Sequence, residues 1–317
     1  MPIKIPNNLP AAKILRDENI FVMDETRALS QDIRPLKLLI VNIMPTKIVT
    51  ETQLLRMLSN TPLQIDVDWL CMETHHSKNT PEEHLLAFYK TFKDVKNNNY
   101  DGLIITGAPV ERYDFEDVDY WQEITEIFEW ANTHVFSSFF ICWASQAALY
   151  HYYGVHKYEL EEKLTGVYLH HTNTDKMQRK ILRGFDYQFY APHSRYTSVN
   201  KDDIDQVESL DILASSKEAG VYLVAEKDGS RFFVTGHPEY DPDTLDKEYR
   251  RDLAKGDDCV MPKNYYKDND MNGEIQVKWR SHAYLLFSNW LNYYVYQNTP
   301  YDLEQLLKIK TQKMGKK

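Results

Sequence analysis

HVFSSFFICWASQAALYHYYG, residues 134–154, changes its period at the cysteine. Val135, Phe136, Phe139, Phe140 and Ile141 are strand formers, and so apolar a run reads as a strand buried on both faces, the mark of a parallel sheet. Beyond Cys142, Ala144, Ala147, Ala148 and Leu149 favour helix, and Gly154 is placed to end it. Strand, sharp turn and helix with a nucleophile-capable residue at the turn is the nucleophile-elbow arrangement. It sets the thiol above the carboxyl edge of the sheet, where a helix dipole favours a thiolate and the N–H of Trp143 can face a developing oxyanion. The plainer reading of a cysteine at a strand end, a small buried hydrophobe, stays open on this stretch alone.

The flanking chain repeats the pattern. Lys37–Ile43 is an apolar strand ended by Met44-Pro45-Thr46, because proline cannot donate into a ladder and restrains its predecessor. Leu54, Leu55 and Leu58 then fall at helical spacing, and Gln64–Leu70 alternates as a second strand. Thr80-Pro81-Glu82-Glu83 reads as a helix start, with threonine as N-cap and a helix running through Leu85, Leu86 and Phe92. Asp101–Thr106 is the next buried strand, with a tight Gly107-Ala108-Pro109 turn in the layer expected for Cys142. Trp121, Ile124, Ile127, Phe128 and Trp130 give the helix that feeds the cysteine strand an apolar stripe.

Such alternation predicts an α/β fold: a doubly wound, mostly parallel, flavodoxin-like sheet with helices on both faces. Lys163–Thr172 and Phe185–Tyr196 read as short strands and loops. Asp211–Ser215, Gly220–Glu226 and Arg231–Thr235 read as three strands, the last pair joined by a turn at Lys227-Asp228-Gly229-Ser230. A long aromatic helix is expected over Ser281–Gln297, its WLNYYVY run serving core or dimer interface. The expected organisation is an N-terminal arm packed on the domain (1–34), a single catalytic domain (35–300) and a frayed Lys-rich tail (301–317).

At 317 residues the chain can bury a full core, and a net charge of −10 argues against a general nucleic-acid binder. MPIKIPNNLP lacks the apolar segment of a signal peptide, and no apolar run is long enough to span a membrane, so a cytoplasmic protein is expected. Cys71, Cys142 and Cys259 contain no CxxC pair, which suggests neither a disulfide framework nor a thiolate zinc site. The adjacent pairs His75-His76 and His170-His171 would point to opposite faces of a strand and not chelate one ion, so no metal is expected. His193-Ser194-Arg195 reads as a polar cluster in a loop with a structural role.

A catalytic cysteine needs a base, and the base needs a group that holds its tautomer. His237 follows the strand RFFVTG, and Glu239 lies two residues on, at the same side of an extended segment. Cys142, His237 and Glu239 are therefore the candidate triad.

The elbow cysteine followed downstream by His-Pro-Glu resembles the class I glutamine amidotransferases, and the whole chain is similar to the homoserine O-acyltransferases of the methionine pathway. The resemblance runs through RPLKLLIVNIMPTK (34–47), SNTPLQIDV (59–67), YDGLIITGAP (100–109), FICWASQAAL (140–149), EKLTGVY (162–168), APHSRYT (191–197), VTGHPEYD (234–241) and WRSHAYLLFSNWLNYYVYQNTPYDL (279–303). It implies a class I amidotransferase-like fold and two half-reactions. Cys142 takes an acyl group from acyl-CoA as a thioester, and the hydroxyl of L-homoserine, activated by His237, then receives it, with Glu239 orienting His237. Lys163, Ser194 and Arg251 match substrate-binding positions, Arg251 as the fork for the homoserine carboxylate. Lys47 matches a position near the acyl group, and Trp143 remains the oxyanion candidate.

Glu111 matches the position at which the family separates a glycine, in succinyl-transferring members, from a glutamate, in acetyl-transferring members. A glutamate takes up space and repels the terminal carboxylate of a succinyl group, whereas acetyl is small and neutral. The resemblance thus implies homoserine O-acetyltransferase activity with acetyl-CoA as co-substrate, no permanently bound cofactor, a homodimer, and neither nucleic-acid nor membrane partners. Succinyl-CoA as donor and an amidotransferase-like glutaminase are the alternatives. Three departures stand against the pattern: MPTKIVTE carries Thr46 and Val49 in place of a lysine and a glutamate, the bulky Phe140 in FICWA argues against glutaminase activity, and the segment 172–184 is longer than in typical members.

Overall fold

The computed structural model describes residues 3–6, 9–17, 23–25, 34–74, 79–256 and 259–314. Its strands in chain order are Ile3–Ile5 (β1), Met23–Asp24 (β2), Leu36–Val41 (β3), Ile65–Leu70 (β4), Tyr89–Lys90 (β5), Tyr100–Ile105 (β6), Val135–Ile141 (β7), Lys157–Thr172 (β8), Gln188–Val199 (β9), Leu210–Ser216 (β10), Gly220–Glu226 (β11) and Arg231–Val234 (β12). They form one sheet in the order β2-β1-β4-β3-β6-β7-β12-β11-β10-β8-β9, with β5 beside β4. Pairing is parallel from β2 through to β12 and antiparallel from β12 to β9.

Strand alternation divides the core in two. Leu38, Ile40, Ile104, Phe139, Ile141, Phe232 and Val234 pack on one face with Leu54 and Leu55 of helix Lys47–Leu58 and Phe287 and Trp290 of helix Arg280–Trp290. Their neighbours Leu39, Val41, Leu103, Ile105, Phe140 and Phe233 pack on the other face with Ile124, Ile127 and Phe128 of helix Trp121–His134 and Ala144, Ala147 and Ala148 of helix Trp143–Tyr153. Helices on both faces explain why β7 is apolar at successive positions: Phe139 and Phe140 are each 0 % exposed, and burying such a side chain contributes roughly 1.5–3 kcal/mol. The fold is α/β with a mixed, largely parallel sheet, as the alternation predicts.

Several local expectations change. The chain after Pro81 forms helix Glu82–Phe88, interrupted by β5, before a short helix Phe92–Val95, and Pro81 rather than Thr80 stands at the cap. Lys163–Thr172 and Phe185–Tyr196 belong to long paired strands, β8 and β9, so His193-Ser194-Arg195 lies in a strand and not in a loop. Helix Arg280–Trp290 continues as a π-helical turn, Leu291–Tyr296, in which Leu291, Tyr294 and Val295 enter the core. Leu306–Met314 is helical, with Leu306 buried and the Lys310 ammonium donating to the Phe136 carbonyl at 3.0 Å, so this part of the tail is docked rather than frayed. β1 extends the sheet beside β4, whereas Ile20, Phe21, Val22 and the His75-His76 pair lie outside the described residues. No helix among the described residues is long and apolar enough to cross a membrane.

Candidate active site

Parallel strands bring their carboxyl ends to one edge, and hydrogen bonds stitch the following loops there. Thr106 N–H donates to Val41 O at 3.1 Å, Ile43 N–H to Thr106 Oγ1 at 2.9 Å, and Cys142 N–H to Val234 O at 2.7 Å. Cys142 sits between β7 and helix Trp143–Tyr153 with φ 50° and ψ −114°. A positive φ without glycine costs roughly 1–3 kcal/mol and persists only where surrounding structure enforces it. Here the Val234 bond fixes the incoming strand, while the Ser145 hydroxyl and N–H, at 2.7 and 3.0 Å, and the Gln146 N–H, at 3.3 Å, all donate to Cys142 O. At the other end Gly154 adopts φ 69° as a left-handed cap. The elbow is thus built as the sequence suggests, with a buried thiol at the start of a helix.

His237 and Glu239 follow β12 at the same edge. The two side chains are nearly fully buried, and His237 Nδ1 donates to Glu239 Oε1 at 2.7 Å, which leaves Nε2 for the thiol. Gly107 shows how close the parts lie, since a Cβ there would come within 3.1 Å of Cys142 Cβ and 3.2 Å of His237 Cε1. A larger residue there would crowd Cys142 and His237 alike. Burial pulls the His237 imidazolium down, but the Cys142 thiolate and the Glu239 carboxylate together outweigh it and hold the ring well above its ordinary value. Its ring also stacks on Tyr240, with centroids 4.1 Å apart and planes 18° from parallel.

Beside Tyr240, helix Thr244–Lys255 faces β8 and β9. Ser194 Oγ and the Tyr240 hydroxyl donate to the two oxygens of Glu248, at 2.6 and 2.8 Å. Lys163 Nζ lies 3.3 Å from Asp252 Oδ2, while Arg251 Nε and Nη2 reach Asp252 Oδ1 at 2.8 and 2.7 Å. Lys163, Ser194 and Arg251, distant in sequence, therefore converge on one helix. Tyr196 carries the Arg112 guanidinium 4.4 Å from its ring centroid and the Lys163 ammonium 5.6 Å from it. Glu111 is half-buried, and the Lys157 ammonium donates to its carbonyl at 2.6 Å. Burial raises its carboxyl above the usual carboxylate range, opposed by its own backbone hydrogen bond and by the charges of Lys163 and His237.

Two further candidates, Lys47 and Trp143, have other surroundings. Lys47 turns its ammonium to the carbonyls of Asn42 and Met44, and burial lowers it to about 8, with the charges of Cys71 and Glu51 opposing. It therefore has no bond to Cys142, His237 or Glu239. The Trp143 indole is buried against Phe115 and Tyr120, which leaves only its backbone N–H for an oxyanion. Conversely, the sequence reading passes over Tyr240 and Glu248. Both carried a signal: Tyr240 directly follows His-Pro-Glu, and Glu248 lies three residues before Arg251, on the same helix face. Among the described residues, no group of three or more His, Cys, Asp or Glu side chains is arranged to hold a metal ion.

A glutamine amidotransferase from Thermotoga maritima has a similar fold, with a TM-score of 0.54 at 12% identity, covering 84% of this chain and all of that one. Another, from Methylobacillus flagellatus, gives 0.53 at 10% identity over 86% of this chain and 99% of its own. These likenesses establish the fold alone. In sequence, the chain is 74% identical over 307 residues to a homoserine O-acetyltransferase of Catenibacterium mitsuokai, covering 96% of this chain and 98% of the relative. It is 58% identical over 306 residues to a homoserine O-acetyltransferase of Acetivibrio thermocellus, covering 96% of this chain and all of the relative. The family model described as homoserine O-succinyltransferase matches residues 2–301, and the chain belongs to that family.

Proposed function

We propose that the chain transfers an acetyl group from acetyl-CoA to the hydroxyl of L-homoserine through a thioester on Cys142, giving O-acetyl-L-homoserine. Family membership makes it an acyltransferase, and the acetyltransferase relatives support the choice of acyl group. The observation that carries the chemistry is the buried thiol at a helix N-terminus beside a histidine that is bonded to Glu239 and raised well above its ordinary value by the charges of Cys142 and Glu239.

In the first half-reaction the Cys142 thiolate attacks the thioester carbonyl carbon, and the oxyanion turns to the Trp143 N–H. The carbon–sulfur bond to CoA breaks, and His237 gives its proton to the departing thiolate, leaving as neutral imidazole. In the second, His237 takes the proton of the homoserine hydroxyl as its oxygen attacks the acetyl-cysteine carbonyl. Collapse of that intermediate releases the ester and returns Cys142 as thiolate beside imidazolium. Arg251 receives the homoserine carboxylate, and Lys163 and Ser194 line the same pocket. Intact-protein mass spectrometry with acetyl-CoA tests the reading: one acetyl group should appear on Cys142. Cys142→Ala should remove the adduct and lower turnover by roughly 10⁴-fold or more. An unchanged rate in that variant would sink it.

The donor follows from Glu111. Its carboxyl is close enough to feel His237 and Lys163, so a succinyl carboxylate would meet both its volume and its charge. Glu111→Gly should shift the ratio of acetyl-CoA to succinyl-CoA turnover toward succinyl by about a hundredfold. A succinyl preference in the parent would refute this assignment. A homodimer in the cytoplasm belongs to the same proposal and is supported by the family resemblance alone.

A further inference from the structure

β9 carries Pro192-His193-Ser194-Arg195-Tyr196-Thr197, and strand alternation sends these side chains to two destinations. Ser194 and Tyr196 reach the substrate side. His193, Arg195 and Thr197 enter the wall behind the triad, and none is more than 1% exposed. Arg195 donates from Nε to His193 Nδ1 at 3.3 Å, from Nη1 to Thr197 O at 2.5 Å and from Nη2 to Ala219 O at 2.5 Å. All three acceptors are neutral, and among the described residues no carboxylate pairs with it. A guanidinium so deeply buried is costly without an anion to face.

Through Thr197 and Gln146 its hydrogen bonds lead to the helix that begins at Cys142. Burial pulls Arg195 below its ordinary range, and the charge that most offsets this is that of Cys142, ahead of Tyr158, Tyr168 and Glu111. Hydrogen bonds follow the same route. Thr197 Oγ1 donates to Gln146 Oε1 at 2.7 Å and Gln146 Nε2 to Thr197 O at 3.2 Å, in the first turn of the helix that starts at the thiol.

On the other side, His193 Nε2 lies 3.0 Å from His170 Nε2, and His170 Nδ1 lies 2.9 Å from Tyr168 O. A carbonyl only accepts, so His170 Nδ1 carries the proton, His193 Nε2 donates, and His193 Nδ1 accepts from Arg195. Pro192, adjacent to His193, accepts the His237 N–H at 2.9 Å. One hydrogen-bonded string thus connects the wall of the base loop with the first turn of the nucleophile helix, with Arg195 in its middle.

We propose that Arg195 is a positioning residue for acyl transfer, a fixed buried cation that stabilises the Cys142 thiolate from behind while its bonds hold the nucleophile helix and base loop in register. The proposal rests on Cys142 as nucleophile. The other ionisable groups facing the thiol are His237 and Tyr240, and those facing Arg195 besides Cys142 are Glu111, Tyr158, Tyr168 and the neutral His170 and His193.

The test is alkylation by iodoacetamide across the pH range in which the full chain stays folded, without substrates, in the parent, Arg195→Met and Arg195→Gln. Peptide mass spectrometry follows Cys142 separately from the free thiols Cys71 and Cys259. Methionine fills the length of the arginine stem without its charge, and glutamine keeps part of its hydrogen bonding without the charge. In both variants the midpoint of the Cys142 alkylation profile should move up by about one pH unit, with the plateau rate at high pH retained. A purely structural role would lower stability and leave the midpoint in place. An unmoved midpoint in a folded variant overturns the proposal, as does failure of both variants to fold. Absence of an acetyl adduct in the parent would instead overturn the nucleophile reading, and the alkylation profile stands apart from that result.

Discussion

His237 with Glu239 and His193 with His170 are both buried histidine pairs, packed on either side of Gly236, where an added Cβ would come within 3.0 Å of His193 Cε1. Burial acts on both alike, since it disfavours the imidazolium. At His237 the charges of Cys142 and Glu239 outweigh it and hold the ring well above its ordinary value. At His193 the charge of Arg195 adds to burial, and at His170 burial lowers the ring to about 3, so both stay neutral. Equal burial therefore gives an acid–base group in one place and a fixed hydrogen-bond relay in the other. The charge within reach of the ring decides.

Glu239→Gln is the sharpest way to break that contrast, because it keeps the shape of the partner and removes its charge. The amide oxygen can still accept from His237 Nδ1, so the tautomer survives while the electrostatic support goes. Turnover should fall by roughly 10³-fold. The pH profile separates loss of charge from loss of geometry. In the acetyl-enzyme Cys142 is no longer an anion, and Glu239 alone holds the ring up against burial. The acid limb of acetyl transfer to homoserine, which needs neutral His237, should therefore move to lower pH in the variant. A limb that stays in place would show that Glu239 only orients the ring.

The contrast also explains what could be read from the sequence. β7 and the elbow were legible because their residues answer to one constraint each: apolar on both faces up to Ile141, helix-forming after Cys142. His-Pro-Glu was legible as a histidine with a carboxylate two residues on, although the segment is not extended as expected but a turn, closed by the Tyr240 N–H donating to His237 O at 3.2 Å, and it is the turn that brings Glu239 back to the ring. His193-Ser194-Arg195 looks like a loop in sequence because a polar run carries no apolar alternation, whereas here both faces of this part of β9 are filled by hydrogen-bonded side chains. The site's outer parts have the same character. The spacing to Arg251 puts Glu248 on the right helix face, but its bonds to Ser194 and Tyr240 depend on how β9 lies against helix Thr244–Lys255, which is a long-range contact. Lys47 matched a family position, yet its ammonium is committed to the carbonyls of its own loop.

The smallest expected effect lies in stability, where the two pairs pull in opposite directions. His237 is raised in the folded protein, so its contribution is fully present below the unfolded value of about 6.5 and is lost as pH climbs through the folded value. His170 is lowered to about 3, so the unfolded chain takes up the proton first, and stability falls as pH drops from the ordinary value toward the folded one. His170→Gln isolates the second effect. The glutamine amide can still accept from His193 Nε2 but gives up the bond to Tyr168 O, which should cost about 1 kcal/mol near pH 7. Between about pH 6.5 and pH 5 the parent then loses up to about 2 kcal/mol through His170, a loss the variant escapes. Urea unfolding should find the variant weaker near neutrality and at least as stable as the parent at about pH 5. A gap of equal size at both pH values would mean that His170 does not resist protonation, and the difference between the two buried pairs would then be smaller than their surroundings imply.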